Sequence, residues 1–401
     1  MEDVTRSLPF WEGFAVRDVT MAGGQVRITL APCPDRPARC GGCAAEGLAT
    51  HEHVRRRIRD LPMVGQPLVL DVTLRRLACP GCGQRLEAVA WLDRHARLTR
   101  RMVQQVSYWC ERLPTAHVAA MFGLHWSTVR RLDVQRLEGL LASLPPPTPR
   151  RLVMDEFALH KGHRYASVVL DADTRQILWI GEGRSRAAVR SFFEALGTKG
   201  CARIEAVAMD MNTAFDLEVR KHCRRARIVY DLFHVIAKYG REVISRVRVD
   251  AANRLRHDKP ARRVVKRAHW LLLRNPDTIQ SSRQQLQLDE VLAANRDLMT
   301  VYVMKAQLKE LWSVSTAWQW RAAWHQWHRH ARQSGIPSLI HFARCLRGYW
   351  RGILARVRWP MHTGQLEGIN NRIKVMKRMA YGYRDSAYFF MKIRAAFPGN
   401  A

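Results

Sequence analysis

Acidic residues are scarce in this chain. Only 35 Asp and Glu oppose 66 Lys and Arg among 401 residues, a formal net charge of +31. A surface so short of carboxylates attracts a polyanion, of which nucleic acid is the commonest, and it argues against a small-molecule metabolic enzyme. Long apolar runs are missing as well. No stretch approaches the roughly 18 residues needed to cross a bilayer, which excludes a membrane-spanning protein. The opening Met1-Glu2-Asp3-Val4 lacks the basic-then-apolar layout of a secretory signal. There is no internal repeat and no long low-complexity tract. The cysteines, nine in all, are odd in number, which is poor arithmetic for disulfides. Four of them form two Cys-x-x-Cys pairs, which suits metal binding in a reducing cytoplasm. Apolar residues are plentiful at 47%, so the chain can build a large core and is not disordered in bulk. At roughly 100–200 residues per domain, its length predicts two to four domains.

Residues 1–95 read as a β-rich module, because "QVRITLA" and "PLVLDVTLRRLAC" alternate apolar and polar at period two. Residues 96–142 switch to helical periodicity, and the proline run in Ser143–Arg151 marks a linker. From Leu152 the pattern runs strand, strand, strand, helix, strand, helix, strand. The strands are "RLVMDEFAL", a hairpin turning near Asp171–Thr174, "IEAVAMD" and "ARIVYDLFHVI", and the helices are "RAAVRSFFEAL" and "TAFDLEVRKHC". Residues 235–345 read almost wholly as helix, dense in Arg, Lys and Trp, and a final segment, 346–401, becomes helical again near Glu367.

Cys40, Cys43, Cys79 and Cys82 sit in Gly- or Pro-containing turns separated by strands. Four thiolates in that layout suit one tetrahedral structural Zn2+, with four buried free thiols as the alternative. Cys33, His51 and His53 are possible substitute ligands. Within Pro114–Leu137, Gly123 divides two short helices, the spacing of a helix-turn-helix. The second helix would present His125, Ser127, Thr128, Arg130 and Arg131 to a major groove, while a plain helical hairpin is the bland reading of the same pattern.

Asp155 and Asp210 each end an apolar run, "LVMD" and "AVAMD". Acids at the ends of buried strands cost desolvation energy unless a cation or hydrogen bond compensates, and two on neighbouring strands repel. Glu367, Asn371 and Lys374 share one helical face, able to offer a metal ligand, an amide and a cation to a phosphate. Hard oxygen ligands favour Mg2+, with Mn2+ possible, and a pair of such ions promotes in-line attack on a phosphodiester. The bland reading is that these are cap and turn acids, Glu156 competing with Asp155 and Asp210 capping a helix near Thr213. Trp320, Trp324 and Trp327 also share a face, which usually means core and otherwise a platform for an unpaired base. The basic stretch Arg254–Trp270 reads as phosphate-contacting or as a solvated helix face.

The order of these features, with "MDEFALHKGHRYASVVLDADTRQILWIGEGR", "AVAMDMNTAF", "IVYDLFHVI" and "EGINNRIKVMKRMAYGYRDSAYFFMKI", resembles the ISL-three group of bacterial insertion-sequence transposases over essentially the whole chain. The resemblance implies a multidomain α+β protein: zinc ribbon, helix-turn-helix, and a ribonuclease-H-like catalytic core (152–234 and 346–401) interrupted by an all-α insertion (235–345). It implies a DDE transposase whose acids are Asp155, Asp210 and Glu367 around two Mg2+, with one structural Zn2+ in the ribbon. It implies binding to the terminal inverted repeats and strand cleavage and transfer on double-stranded DNA by a homodimer or higher oligomer in the bacterial cytoplasm at the nucleoid. His234, in Asp231-Leu-Phe-His234, is similar to the histidine of transposases with helical insertions, where it lies near the scissile phosphate. Arg372, Lys374 and Lys377 would hold the DNA backbone. A non-catalytic DNA-binding regulator derived from a transposase and a structure-specific nuclease are the competing readings.

Overall fold

The computed structural model describes residues 9–160, 164–275 and 278–400. The opening Met1–Val4 and Lys161–His163 of the quoted motif lie outside the described residues. The chain divides into two compact units, one of residues 1–143 with 375–391, the other of 144–374 with 392–401.

The first unit begins with β1 (Phe14–Ala22), β2 (Gln25–Pro32), β3 (Thr50–Met63), β4 (Gln66–Cys79) and β5 (Gly83–Leu86). Their order is β1-β2-β4-β3, with β5 also paired to β4. The alternation in β4 places Leu68, Leu70, Val72 and Leu74 on a buried face with Trp11, Phe14, Ile28 and Ile58. Then follow α1 (Arg100–Cys110), α2 (Thr115–Phe122) and α3 (Trp126–Ser143). Thr99 caps α1, its side chain accepting from the Met102 amide. Gly123 has φ +58°, the left-handed conformation that ends α2 and turns the chain into α3. Val118, Ala119, Phe122, Val129 and Leu132 form the apolar faces that meet α1. One buried carboxylate ties sheet to helix: Asp60 accepts from Trp11 Nε1 at 2.8 Å, Thr99 Oγ1 at 2.6 Å and Arg101 Nε at 2.8 Å. Burial alone would raise its pKa, but Arg101 and the other donors hold it below the ordinary value.

The second unit opens with β6 (Arg151–His160), β7 (Arg164–Asp171) and β8 (Ile177–Glu182), paired antiparallel. Next come α4 (Arg186–Arg203), β9 (Ala206–Met209), α5 (Thr213–His222) and β10 (Arg227–Tyr230). The sheet order is β10-β9-β6-β7-β8, with β9 and β10 parallel to β6 and to each other. The strand expected over "ARIVYDLFHVI" is shorter than its apolar run suggests. It ends at Tyr230, and Leu232–Tyr239 form helix α6, because the Asp231 side chain caps that helix by accepting from the Phe233 amide. A boundary at 234 therefore falls inside a helix.

Among the described residues the α-helices that follow are α7 (Ser245–Arg254), α8 (Lys259–Arg267), α9 (His269–Leu273), α10 (Ser282–Ala293), α11 (Arg296–Glu310), α12 (Ala317–Gln333), α13 (Pro337–Leu346) and α14 (Trp350–Leu354). Trp320, Trp324 and Trp327 on α12 are buried in the core, the first two stacked at 5.0 Å. They are thus packing residues. The basic stretch around α8 is mostly exposed to solvent. The chain ends with α15 (Gly364–Met379) and α16 (Ser386–Ala396). Among the described residues no helix is long and apolar enough to cross a membrane.

The candidate active site and the zinc knuckles

The register of the parallel strands assembles the acids. Val153 pairs with Ala208, and Tyr230 with Met209. Continuing each strand brings Asp155, Asp210 and Asp231 to the same level on three neighbouring strands. Asp155 lies midway along β6 instead of at its end, since β6 continues against β7 to His160. Asp210 follows the last residue of β9. It does not cap α5; Asn212 does, accepting from the Ala214 amide, while Asp210 Oδ1 accepts from the Asn212 amide at 3.0 Å.

Both acids are held toward their neutral forms. Burial pushes Asp155 up to about 6, helped by the charges of Asp210 and Glu156 and opposed by His234. Burial likewise raises Asp210, which also feels Glu156, while His234 and Arg184 pull it down. His234, on the first turn of α6, is therefore electrostatically beside both acids, as is Glu156, whose Oε1 accepts from Arg184 at 3.2 Å. The other Glu156 oxygen is buried and has no hydrogen-bond partner.

Glu367 is exposed on the first turn of α15. Asp155, Asp210 and Glu367 do not gather within 4.8 Å of one another; among the described residues only the four paired cysteines meet that criterion. A physical reason is at hand: a further negative charge brought among Asp155, Glu156 and Asp210 loses hydration and meets repulsion. What reaches the acids is the next turn of the same helix. Asn370 is buried, and its Nδ2 donates to Asp155 Oδ2 at 2.9 Å. Sequence reasoning missed this residue and placed its neighbour Asn371 on the working face. Asn371 is exposed and accepts from Lys374 Nζ at 3.3 Å. The "GINNRI" pattern held the signal: Leu366, Ile369 and Ile373 define the buried face, and Asn370 lies on it.

Asp231 is buried and does not join the acids. Its Oδ2 accepts from the Thr363 amide at 3.3 Å and from the Thr363 hydroxyl, so one carboxylate joins the start of α6 to the start of α15. Of the expected backbone-holding cations, Arg372 and Lys374 are exposed and Lys377 is half-buried. Arg372 lies over the Phe397 ring and lines a cavity of about 580 Å3 with His362, Gln365 and Asn400.

In the first unit the four cysteine sulfurs lie within 4.8 Å of one another, Cys43 and Cys79 at 3.6 Å. A Cβ on Gly41 would meet the Leu86 carbonyl oxygen at 2.4 Å, so the first knuckle needs that glycine. Backbone N–H groups of Cys43 and Gly42 lower the Cys40 thiol to about 7, whereas hydrogen bonding with Cys43 raises Cys82. One sulfur thus ionises readily while its crowded neighbour resists, the deficit a soft cation removes. Cys33, His51 and His53 stand outside this cluster.

On the helix-turn-helix, His125, Ser127 and Arg131 are exposed and Thr128 half-buried. The His125 ring bonds Ser127 Oγ at 2.7 Å. Arg130 is ion-paired with Asp385 and lies over the Tyr388 ring. Tyr388 in turn donates to Asp133 Oδ2 at 2.5 Å and bonds Thr115 Oγ1 at 3.1 Å. Trp126, the first residue of α3, is 56% exposed.

Residues 152–393 match a transposase family model of the ISL3 type. The chain belongs to this transposase family. Residues 87–137 match the helix-turn-helix domain of transposase family ISL3, and residues 36–86 the zinc-finger of the IS204/IS1001/IS1096/IS1165 transposases. The chain is 52% identical over 400 residues to the transposase for insertion sequence element IS1001 of Bordetella parapertussis, covering 98% of each. It is 25% identical over 390 residues to the transposase for IS1557 of Mycobacterium tuberculosis, covering 90% of this chain and 86% of the relative. The ISL3 transposase chain thus carries a zinc ribbon whose clustered cysteines support a structural zinc, and a helix-turn-helix after it.

Proposed function

We propose that the protein cuts and joins DNA at the ends of an insertion sequence by a metal-dependent DDE mechanism, with Asp155, Asp210 and Glu367 as the acids. The observation that carries this reading is the register that brings Asp155 on β6 level with Asp210 just beyond β9, with the helix of Glu367 tied to Asp155 through Asn370. The sheet order, three antiparallel strands followed by two parallel to the first, supports a ribonuclease-H-like core. The donor set fits hard divalent cations. It is all oxygen, two acids are raised toward neutrality, and buried oxygens of Glu156 and Asn370 have no partner.

Bound there, Mg2+ supplies Lewis-acid stabilisation of the attacking and leaving oxygens of a phosphodiester. Asp155 and Asp210 at the sheet, with Glu367 from the first turn of α15, would hold it. His234 places an imidazole ring beside the two acids, suited to general acid–base work at the scissile phosphate. A water attacks first and frees a 3′-hydroxyl; that hydroxyl then attacks target DNA. His125, Ser127, Thr128 and Arg131 read the terminal repeat, Arg130 joining them when it leaves Asp385. Arg372, Lys374 and Lys377 hold the backbone, and two transposon ends call for a dimer or higher assembly.

The test is a cleavage assay on end-containing DNA with and without Mg2+. Asp155→Asn abolishes cutting while end binding survives, and retained cutting by that variant would move the metal site elsewhere. Joined strand-transfer products separate a transposase from a nuclease with the same core, and uncut DNA in the presence of Mg2+ would favour a regulator.

A further inference from the structure

Asn370 has two ends with different fates. Its Nδ2 is committed to Asp155 Oδ2 at 2.9 Å. Its Oδ1 is buried and finds no hydrogen-bond partner, although the residue is only 8% exposed. A buried amide oxygen without a donor costs about 1–3 kcal/mol, and such a group calls for an explanation. A core position would be served as well by leucine, the type that fills 366 on the same face. The partner it wants must be a donor or a cation. Its surroundings choose between them. Its bonded partner Asp155 stands level with Asp210 in the strand register and beside Glu156 in the chain, so the acid that Asn370 holds is itself crowded by negative charge. A donor-less amide oxygen, on a side chain bonded to an acid that other acids crowd, suits a divalent cation better than a water that must donate to each of them.

We propose that Asn370 is a fourth member of the metal site: its N–H orients Asp155, and its Oδ1 serves as a neutral oxygen ligand to the cation. The inference rests on the metal-dependent reading above. Asn370 is three residues after Glu367, so the two are neighbours on successive turns of α15, Asn370 on the buried face and Glu367 at its exposed flank. The helix then contributes to the site through a neutral ligand already in place and an acid that joins. A neutral ligand suits a position already crowded with acids, because it adds coordination without adding repulsion.

The test measures Mn2+ binding by electron paramagnetic resonance on the full, zinc-loaded chain without DNA. Asn370→Ala weakens Mn2+ affinity about ten-fold, the scale of losing one oriented group at a metal site. Asn370→Asp moves affinity the other way, tightening it several-fold, since it replaces a neutral oxygen ligand with a charged one. A residue that merely packs α15 against the sheet would not produce opposite signs. Circular dichroism and thermal melting check that each variant folds; should alanine unfold the chain, the nearly isosteric aspartate variant decides alone. Mn2+ affinity unchanged in Asn370→Asp overturns the proposal. Asp155→Asn separates the two levels of inference. If the wild-type protein has no Mn2+ site that Asp155→Asn removes, the metal-dependent reading itself fails; if it has one and both Asn370 variants bind like wild type, only the role of Asn370 falls.

Discussion

Glu218 on α5 has no solvent exposure, yet it keeps its charge because Arg190 and Arg186 bond it at 3.2 and 2.9 Å and His222 lies at 3.3 Å. The hydrogen bond from Arg190 leads, and with Arg186 it lowers the carboxyl from the ordinary 4.5 to about 2. Because the folded value is depressed, the stabilisation is complete above the ordinary value and is lost as pH falls through that window. Glu218→Gln therefore destabilises the second unit at neutral pH by about 1–2 kcal/mol, the arginines being partly solvated. Urea melts from pH 7 to acid follow it, and the variant's stability changes less than the parent's between pH 4.5 and 2. A parallel acid dependence of the two proteins would deny Glu218 this part. The same kind of reading separates the site acids. Asp155 and Asp210 were visible as acids ending apolar runs, whereas the partner of Asp155 was not, because a hydrogen bond between residues 155 and 370 leaves no local mark in the chain.

At the scale of elements, hydrophobic periodicity located the helices and most strands, and it failed where a cap overrode it. "IVYDLFHVI" is apolar enough for one long strand, but the Asp231 side chain satisfies the first amides of a helix and breaks the run. That carboxylate also receives Thr363, so Asp231→Ala removes a cap and strands two donors at once. It should cost about 1–3 kcal/mol in a thermal or urea melt and depress cleavage more than end binding, because it loosens the starts of both α6 and α15. Equal losses in cleavage and end binding would point instead to general unfolding. In the first unit, Asp385 and Tyr388 close on the helix-turn-helix through Arg130, Asp133 and Thr115. Asp385 competes with phosphate for Arg130. Asp385→Ala accordingly tightens binding to end-containing DNA a few-fold in a gel-shift titration, with the gain shrinking as salt rises. Weaker binding would mean that the clasp shapes the recognition helix and does not restrain it.

For the whole molecule, a net charge of +31 makes DNA affinity an electrostatic quantity. Neutralising several phosphates should lower end affinity by about 10³-fold between 50 and 200 mM salt, and a flat salt dependence would be incompatible with backbone-dominated binding. The ribbon sheet has its own apolar core around Trp11, Phe14 and Leu70, apart from the cysteine cluster. Chelating the zinc should therefore open the knuckles near Cys40–Cys43 and β5 to protease before the sheet melts, and an unchanged cleavage map would argue that the sulfurs need no metal. Composition, the two cysteine pairs, the helix-turn-helix spacing and the strand-helix order are local or additive properties, so they were legible along the chain. They sufficed for a DNA-directed protein of mixed sheets and helices with a candidate zinc site, while the quoted motifs carried the resemblance to its family. The tertiary structure alone decided what depends on pairing distant residues: the register that sets Asp155 beside Asp210, the choice of Asn370 over Asn371, the commitment of Arg130 to Asp385 and the burial of the tryptophans. Each is a contact between segments far apart in the chain, specified by how strands and helices pack and not by any single segment's own pattern.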